Sequence, residues 1–158
     1  MSKPLADRVI RSMGEVAGLY HRLVLLVAPG GTGKTAILQD VRQCTGASLI
    51  NVNLELSRRM LELTERQRAL QLPGLLAEIA NTTKADLILL DNIEVLFDVL
   101  LKQDPMRLLQ GISRNKTVVA AWNGSIDGGH IIYAAPGHLE YKRYPVQDLM
   151  VINPKVAP

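Results

Sequence analysis

Residues 23–35 read L-V-L-L-V-A-P-G-G-T-G-K-T, and this stretch decides the fold. Leu23 to Val27 is a continuous apolar run ended by Pro29-Gly30-Gly31, the pattern of a strand buried on both faces of a parallel sheet. Residues 28–35, A-P-G-G-T-G-K-T, fit the phosphate-binding loop G-x-x-x-x-G-K-[ST], with Ala28 in place of the first glycine. Gly30, Gly31 and Gly33 let the backbone turn its N–H groups inward on phosphate oxygens, helped by the dipole of the helix that follows. The segment expected to contact nucleotide is therefore Pro29, Gly30, Gly31, Thr32, Gly33, Lys34, Thr35 and Ala36. Lys34 would reach the β- and γ-phosphates of ATP, and Thr35 would hold Mg²⁺ through its hydroxyl. The bare pattern arises by chance in roughly one chain of this length in a hundred. Its placement between strand and helix argues further against the alternative, a glycine-rich turn of a Rossmann-like sheet with a solvated lysine.

Working outward, Lys34 to Thr45 reads as a helix with Ile37, Leu38, Val41 and Cys44 on one face and Gly46 where a left-handed residue ends it. Ser48 to Val52 is a second strand, and Leu54 to Leu70 a helix whose solvated face carries Glu55, Arg58, Arg59, Glu62, Glu65, Arg66 and Arg68. Pro73 opens another helix ending near Asn81. Asp86 to Leu90 is the third strand, followed by an apolar helical stretch from Ile93 to Leu101 and a helix started by Asp104-Pro105 that ends near Arg114. Thr117 to Trp122 is the fourth strand. Upstream, Pro4 with Leu5, Val9, Met13 and Val16 on one stripe predicts an amphipathic helix over 4–19. Strands alternating with helices specify a three-layer α/β sandwich with a mainly parallel sheet.

Beyond Asn123 the glycines at 124, 128 and 129 and Pro136-Gly137 break the pattern, leaving Ile131 to Ala134 and Leu139 to Tyr144 as short strand candidates. The chain thus divides into an N-terminal helix, a core over about 22–145 and a short tail, 146–158, within one P-loop domain spanning 1–158. The fourteen residues after Tyr144 include Pro145, Pro154 and Pro158 and are too few for a multi-helix lid.

A length of 158 residues with 47% apolar and 21% charged side chains suits one globular domain and excludes a disordered chain. The single Cys44 and the scattered His21, His130 and His138 exclude a disulfide scaffold and a zinc site. A formal charge of +3 is compatible with contact to DNA, direct or through partners, without requiring it, and six aromatics make a stacking platform for bases a poor reading. The longest apolar run, Leu23 to Ala28, is far short of a membrane span, and the N-terminus lacks the apolar stretch of a signal peptide; the expected location is the cytoplasm, away from membrane.

A phosphate-binding loop leaves Mg²⁺ in need of a carboxylate from another strand end, and Leu87 to Asp91, L-I-L-L-D, supplies one. Asp91 is that candidate, though it or Asn92 also suits the cap of the helix that follows. Many such ATPases place a glutamate directly after the aspartate to activate water; here Asn92 holds that place and cannot accept a proton, which leaves Glu94 as the candidate base. Asn123 closes the fourth strand, where its amide would reach between the metal site and the γ-phosphate, or would serve a plain Asn-Gly turn. Arg107 and Arg114 flank the helix before that strand, and Arg114 is the candidate to enter a neighbour's site as an arginine finger. Tyr141-Lys142-Arg143-Tyr144 reads as an edge strand rather than a nucleic-acid contact.

With A-P-G-G-T-G-K-T, L-I-L-L-D-N-I-E, V-V-A-A-W-N-G and L-E-Y-K-R-Y-P in this order, the chain resembles the BrxF family, the small P-loop proteins of type 3 BREX phage-defence systems, over roughly residues 8–150. More broadly it looks like the core of an AAA+ ATPase. That resemblance implies a five-stranded sheet ordered 5-1-4-3-2, nucleotide bound between subunits of a homo-oligomer, Lys34 and Thr35 as Walker A residues, Asp91 as the Walker B aspartate and Asn123 at the sensor-1 position. It also implies a part in bacterial anti-phage defence beside a larger ATPase, a DNA methyltransferase and a phosphatase-like protein. The expected function is ATP binding with hydrolysis that regulates such a DNA-directed complex. Two alternatives stand beside it: a nucleotide-gated interaction module without turnover, suggested by Asn92, and a small-molecule kinase, which needs an acceptor pocket and a basic lid that the sequence does not offer.

Overall fold

The structure, a computed structural model, describes residues 4–154. Five parallel strands form the main sheet in the order β2-β3-β4-β1-β8. They are β1 (Leu23–Ala28), β2 (Ser48–Asn51), β3 (Leu87–Asp91), β4 (Thr117–Asn123) and β8 (Met150–Ile152). This is the order 5-1-4-3-2 in a parallel α/β sandwich, with β8 as the fifth strand. Alternate residues of each inner strand feed opposite faces, as the pleat requires. Leu23, Leu25 and Val27 of β1 join Ile88, Leu90, Val118, Ala120 and Trp122 in one core, while Val24, Leu26, Leu89, Val119 and Ala121 join the other.

Helices α1 (Pro4–Val16) and α2 (Lys34–Thr45) cover the second of those faces. Gly46 closes α2 where expected, its N–H donating to the Arg42 carbonyl at 2.8 Å. The first face is covered by α3 (Val52–Met60), α4 (Glu65–Ala80), α5 (Pro105–Ile112) and a small antiparallel sheet of β5 (Ser125–Asp127), β6 (His130–Tyr133) and β7 (Lys142–Pro145). That sheet occupies the crossover from β4 to β8, where a parallel connection more often uses a helix. Asp104 caps α5 through bonds from the N–H groups of Met106 and Arg107.

Five expectations need correction. The segment 146–158, read as a tail, contains β8, which pairs with Val24 to Leu26 and completes the sheet; Lys155 to Pro158 lie outside the described residues. The helix expected over Leu54–Leu70 is two helices, because Thr64 and Gln67 form a reciprocal capping box that starts α4 afresh. Pro73 does not open a helix but sits inside α4; the carbonyl four residues back, on Ala69, is left without its usual partner and accepts instead from Gln103 Nε2 at 2.8 Å. The stretch Ile93–Leu101 is two short 3₁₀ turns, Ile93–Phe97 and Val99–Leu101, separated by Asp98, whose carboxylate caps the second. The strand expected over Leu139–Tyr144 begins only at Lys142, since His138 turns the preceding loop by bonding to the Glu140 N–H.

Candidate functional site

The carboxyl ends of β1, β3 and β4 bring the chemistry-bearing residues of the sequence to one edge of the sheet, the usual ligand edge of an open parallel α/β fold. Gly31 and Gly33 have φ of +78° and +90°, values that a side chain disfavours and that let the loop double back over the start of α2. Thr32 ties the loop by donating from its hydroxyl to the Pro29 carbonyl at 2.6 Å. Lys34 folds beneath the loop, only 6% exposed, and its ammonium donates to the carbonyls of Ala28 at 2.9 Å and Pro29 at 2.8 Å. Burial lowers the Lys34 pKa from its ordinary value, against the opposing pull of Glu94 and then Asp91. Ala36, exposed in the first turn of α2, completes the segment from Pro29.

Asp91 is fixed at both carboxylate oxygens. Oδ2 accepts from the Thr35 hydroxyl at 2.6 Å, and Oδ1 accepts from the Asn92 N–H at 2.9 Å. Asn92 itself stands in the left-handed region with φ +54°, and its carbonyl receives the Asn53 N–H at 3.1 Å. The kink at Asn92 turns the chain out of the strand direction, so that the next acidic side chain, Glu94 in the first 3₁₀ turn, stands in the electrostatic field of both Asp91 and Lys34. Burial, and then the Asp91 charge, raise the Glu94 pKa above that of an ordinary glutamate.

Asn123 pairs in register with Ala28, and a Cβ built on Gly30 would stand 3.8 Å from Asn123 Nδ2, so the amide faces the phosphate loop. Gly124 follows with its N–H on the Ala28 carbonyl at 3.0 Å. Any larger residue at 124 is excluded by close approach, since a Cβ there would meet the carbonyl of Ile132 and the Trp122 ring.

Arg114 is not brought to this edge. It precedes β4 at the other end of the sheet, with its guanidinium 4.7 Å from the Tyr20 ring centroid and its carbonyl accepting from Arg22. Arg107 projects from α5 with an 87% exposed side chain, 3.9 Å from Asp104. Arg58 and Arg59 both pair with Glu55 on the solvated face of α3. Lys142–Pro145 is an edge strand of the small sheet, and the Tyr144 hydroxyl donates to Asp104 at 2.7 Å.

Sequence reasoning passed over Tyr133. Its ring stacks on Phe97, centroids 3.6 Å apart at 12°, and meets Trp122 edge-on at 6.4 Å. Burial, reinforced by the charges of Glu140 and Glu94, pushes its pKa up to about 12. The signal lay in the spacing of Trp122, Tyr133 and Tyr144 along three strands, but β6 and β7 were too short and too glycine-flanked for alternation to assign their inner faces.

No family model matches the chain, and no curated protein matches it. Among solved structures, that of C. elegans PCH-2 aligns with 79% of this chain and 37% of its own at 20% identity and a TM-score of 0.44. The chain thus spans little more than a third of that protein's length. Among the described residues no helix is long and apolar enough to cross a membrane.

Proposed function

We propose that the chain binds ATP with Mg²⁺ and hydrolyses it, and that nucleotide governs its assembly with further copies and partners. The observation that carries this reading is the hydrogen bond from Thr35 to Asp91, which ties the phosphate loop to the end of β3 beside Lys34 and Glu94. The donor set fits a divalent ion: a hydroxyl and a carboxylate oxygen 2.6 Å apart are hard ligands of the kind Mg²⁺ takes, with substrate phosphate and water filling the rest. When bound, Mg²⁺ neutralises charge on the β- and γ-phosphate oxygens. The loop N–H groups and the start of α2 hold those phosphates, and Lys34 offsets the negative charge from below. Glu94 accepts the proton of the attacking water as its oxygen bonds to the γ-phosphorus and the bond to the β,γ-bridging oxygen breaks. The Asn123 amide, facing the loop, orients that water or the γ-phosphate.

Asn92, in the place where an acid would follow Asp91, favours one second reading: a switch that binds ATP and does not turn it over. The two are separated by titrating a fluorescent ATP analogue with Mg²⁺ and measuring hydrolysis for the parent chain, Lys34→Ala and Glu94→Gln. The expected result is that Lys34→Ala weakens binding about tenfold or more, while Glu94→Gln binds normally and hydrolyses about a hundredfold slower. Tight binding with no difference in hydrolysis between parent and Glu94→Gln selects the switch.

The place in phage defence is supported by the motif order alone, from A-P-G-G-T-G-K-T through D-N-I-E to L-E-Y-K-R-Y-P. It comprises assembly of copies around nucleotide with Arg114 as the residue reaching across, and association with the other BREX proteins and through them DNA. Co-purification with those proteins from cells, present for the parent chain and lost for Lys34→Ala, tests it.

A further inference from the structure

We infer that Tyr133 is a positioning residue for Glu94, acting through Phe97, so that the small β5-β6-β7 sheet sets the rate of hydrolysis. The inference rests on Glu94 being the base.

Glu94 and Phe97 belong to one five-residue 3₁₀ turn, Ile93–Phe97. Side chains three apart in a 3₁₀ helix eclipse one another, so whatever fixes the azimuth of Phe97 fixes that of Glu94. The turn has little rigidity of its own: it starts on the left-handed Asn92 and ends at the extended Asp98, with no longer helix on either side. Phe97 is 2% exposed, and its ring is held between two partners. The Tyr133 ring lies flat on it, 3.6 Å away at 12°, and Trp122 meets it at right angles, 5.1 Å away at 88°. Such pairs contribute about 0.5–1.5 kcal/mol beyond area burial and have a defined geometry.

Tyr133 is in turn held by its sheet. Ile132 beside it gives its carbonyl to the Trp122 indole N–H at 3.3 Å, and Tyr133 pairs with Lys142 of β7. Tyr144 closes the group, 5.9 Å from Trp122. Four of the six aromatic side chains of the protein therefore meet at the single junction between the 3₁₀ turn, the end of β4 and the small sheet. The Tyr133 hydroxyl, its pKa held up by burial and by Glu140 and Glu94, stays neutral beside Glu94. The turn that carries the base is thus steered from outside the Walker-type elements, and anything that shifts β6 shifts Glu94.

The test compares hydrolysis rate and nucleotide affinity for the parent chain, Tyr133→Leu, Tyr133→Phe, Glu94→Gln and the double variant Glu94→Gln/Tyr133→Leu. Tyr133→Leu is expected to lower kcat about tenfold to a hundredfold with nucleotide Kd within about twofold of the parent. Tyr133→Phe, which keeps the stacked ring, is expected to retain kcat. In the double variant the loss is expected to equal that of Glu94→Gln alone, because the tyrosine acts only through the glutamate. Should Tyr133→Leu not fold, Tyr133→Met, which keeps apolar volume against Phe97 but no ring plane, carries the same expectation. An unchanged kcat, a parallel loss of affinity, or a further loss on top of Glu94→Gln overturns the inference while leaving Glu94 as the base. Equal rates for parent and Glu94→Gln overturn the reading of Glu94, and the inference with it.

Discussion

The left-handed backbone at Asn92 explains why an asparagine stands there, and it changes what an acid in that place would do. Asn tolerates φ +54° better than other non-glycine residues, and the conformation costs an ordinary side chain about 1–2 kcal/mol. Asn92→Glu is therefore expected to lower stability by about 1 kcal/mol and not to raise hydrolysis, checked by thermal melts beside a phosphate-release assay. Glu94 carries a pH signature. Its pKa is raised in the fold, so the native chain holds that proton more tightly than the unfolded chain, and stability falls as pH rises from the ordinary value of 4.5 through the folded value. The cost of the buried charge sets in as the pH rises through that folded value. Glu94→Gln is expected to melt higher than the parent at neutral pH, with the advantage vanishing below about pH 4.5, even as hydrolysis is lost. The parent's rate is expected to rise along an acid limb displaced above the ordinary glutamate range and to fall on the alkaline side earlier than an unperturbed lysine would dictate, because burial lowers Lys34.

At the scale of elements, α4 shows how local chemistry overrides a proline. Pro73 leaves the Ala69 carbonyl unpaired, and Gln103 replaces the missing N–H. Gln103→Leu is expected to cost about 1 kcal/mol in the parent chain and close to nothing in a Pro73→Ala background, where the helix restores its own bond; a double-mutant cycle in urea reads the difference. The same helix marks the limit of what the sequence makes legible. The long buried strands β1, β3 and β4, the phosphate loop and the cap at Gly46 were all readable because continuous apolar runs and glycine punctuation have one interpretation. Thr64-x-x-Gln67 was a legible helix start, masked by apolar periodicity that continues across it from Leu54 to Leu70. Strand β8 was not legible, because three residues among prolines carry no periodicity and only pairing with β1 defines them. In the site, residue types at strand ends were readable, whereas the entry of Glu94 depends on one backbone angle at Asn92 and the Tyr133 stack on contacts between segments 36 residues apart, neither of which leaves a local pattern.

For the molecule as a whole, the sheet edge gathers the glycine loop with Lys34, an aspartate fixed at both oxygens and the 3₁₀ turn that carries Glu94, on which the added sheet packs through the Phe97–Tyr133 stack. Gly124 is the hinge between the two sheets: a Cβ there would collide with the Ile132 carbonyl, so Gly124→Ala is expected to displace the small sheet and slow hydrolysis more than it weakens nucleotide binding, read as a fall in kcat at near-constant Kd. On the proposed function, this edge hydrolyses ATP. Phosphate release from Mg·ATP, followed over a wide range of protein concentration with Lys34→Ala as the control for contaminating activity, tests it most directly. Release by the parent chain is expected to vanish in Lys34→Ala, and the rate per molecule to climb with concentration as copies complete one another's sites. Release at the level of Lys34→Ala at every concentration would contradict it.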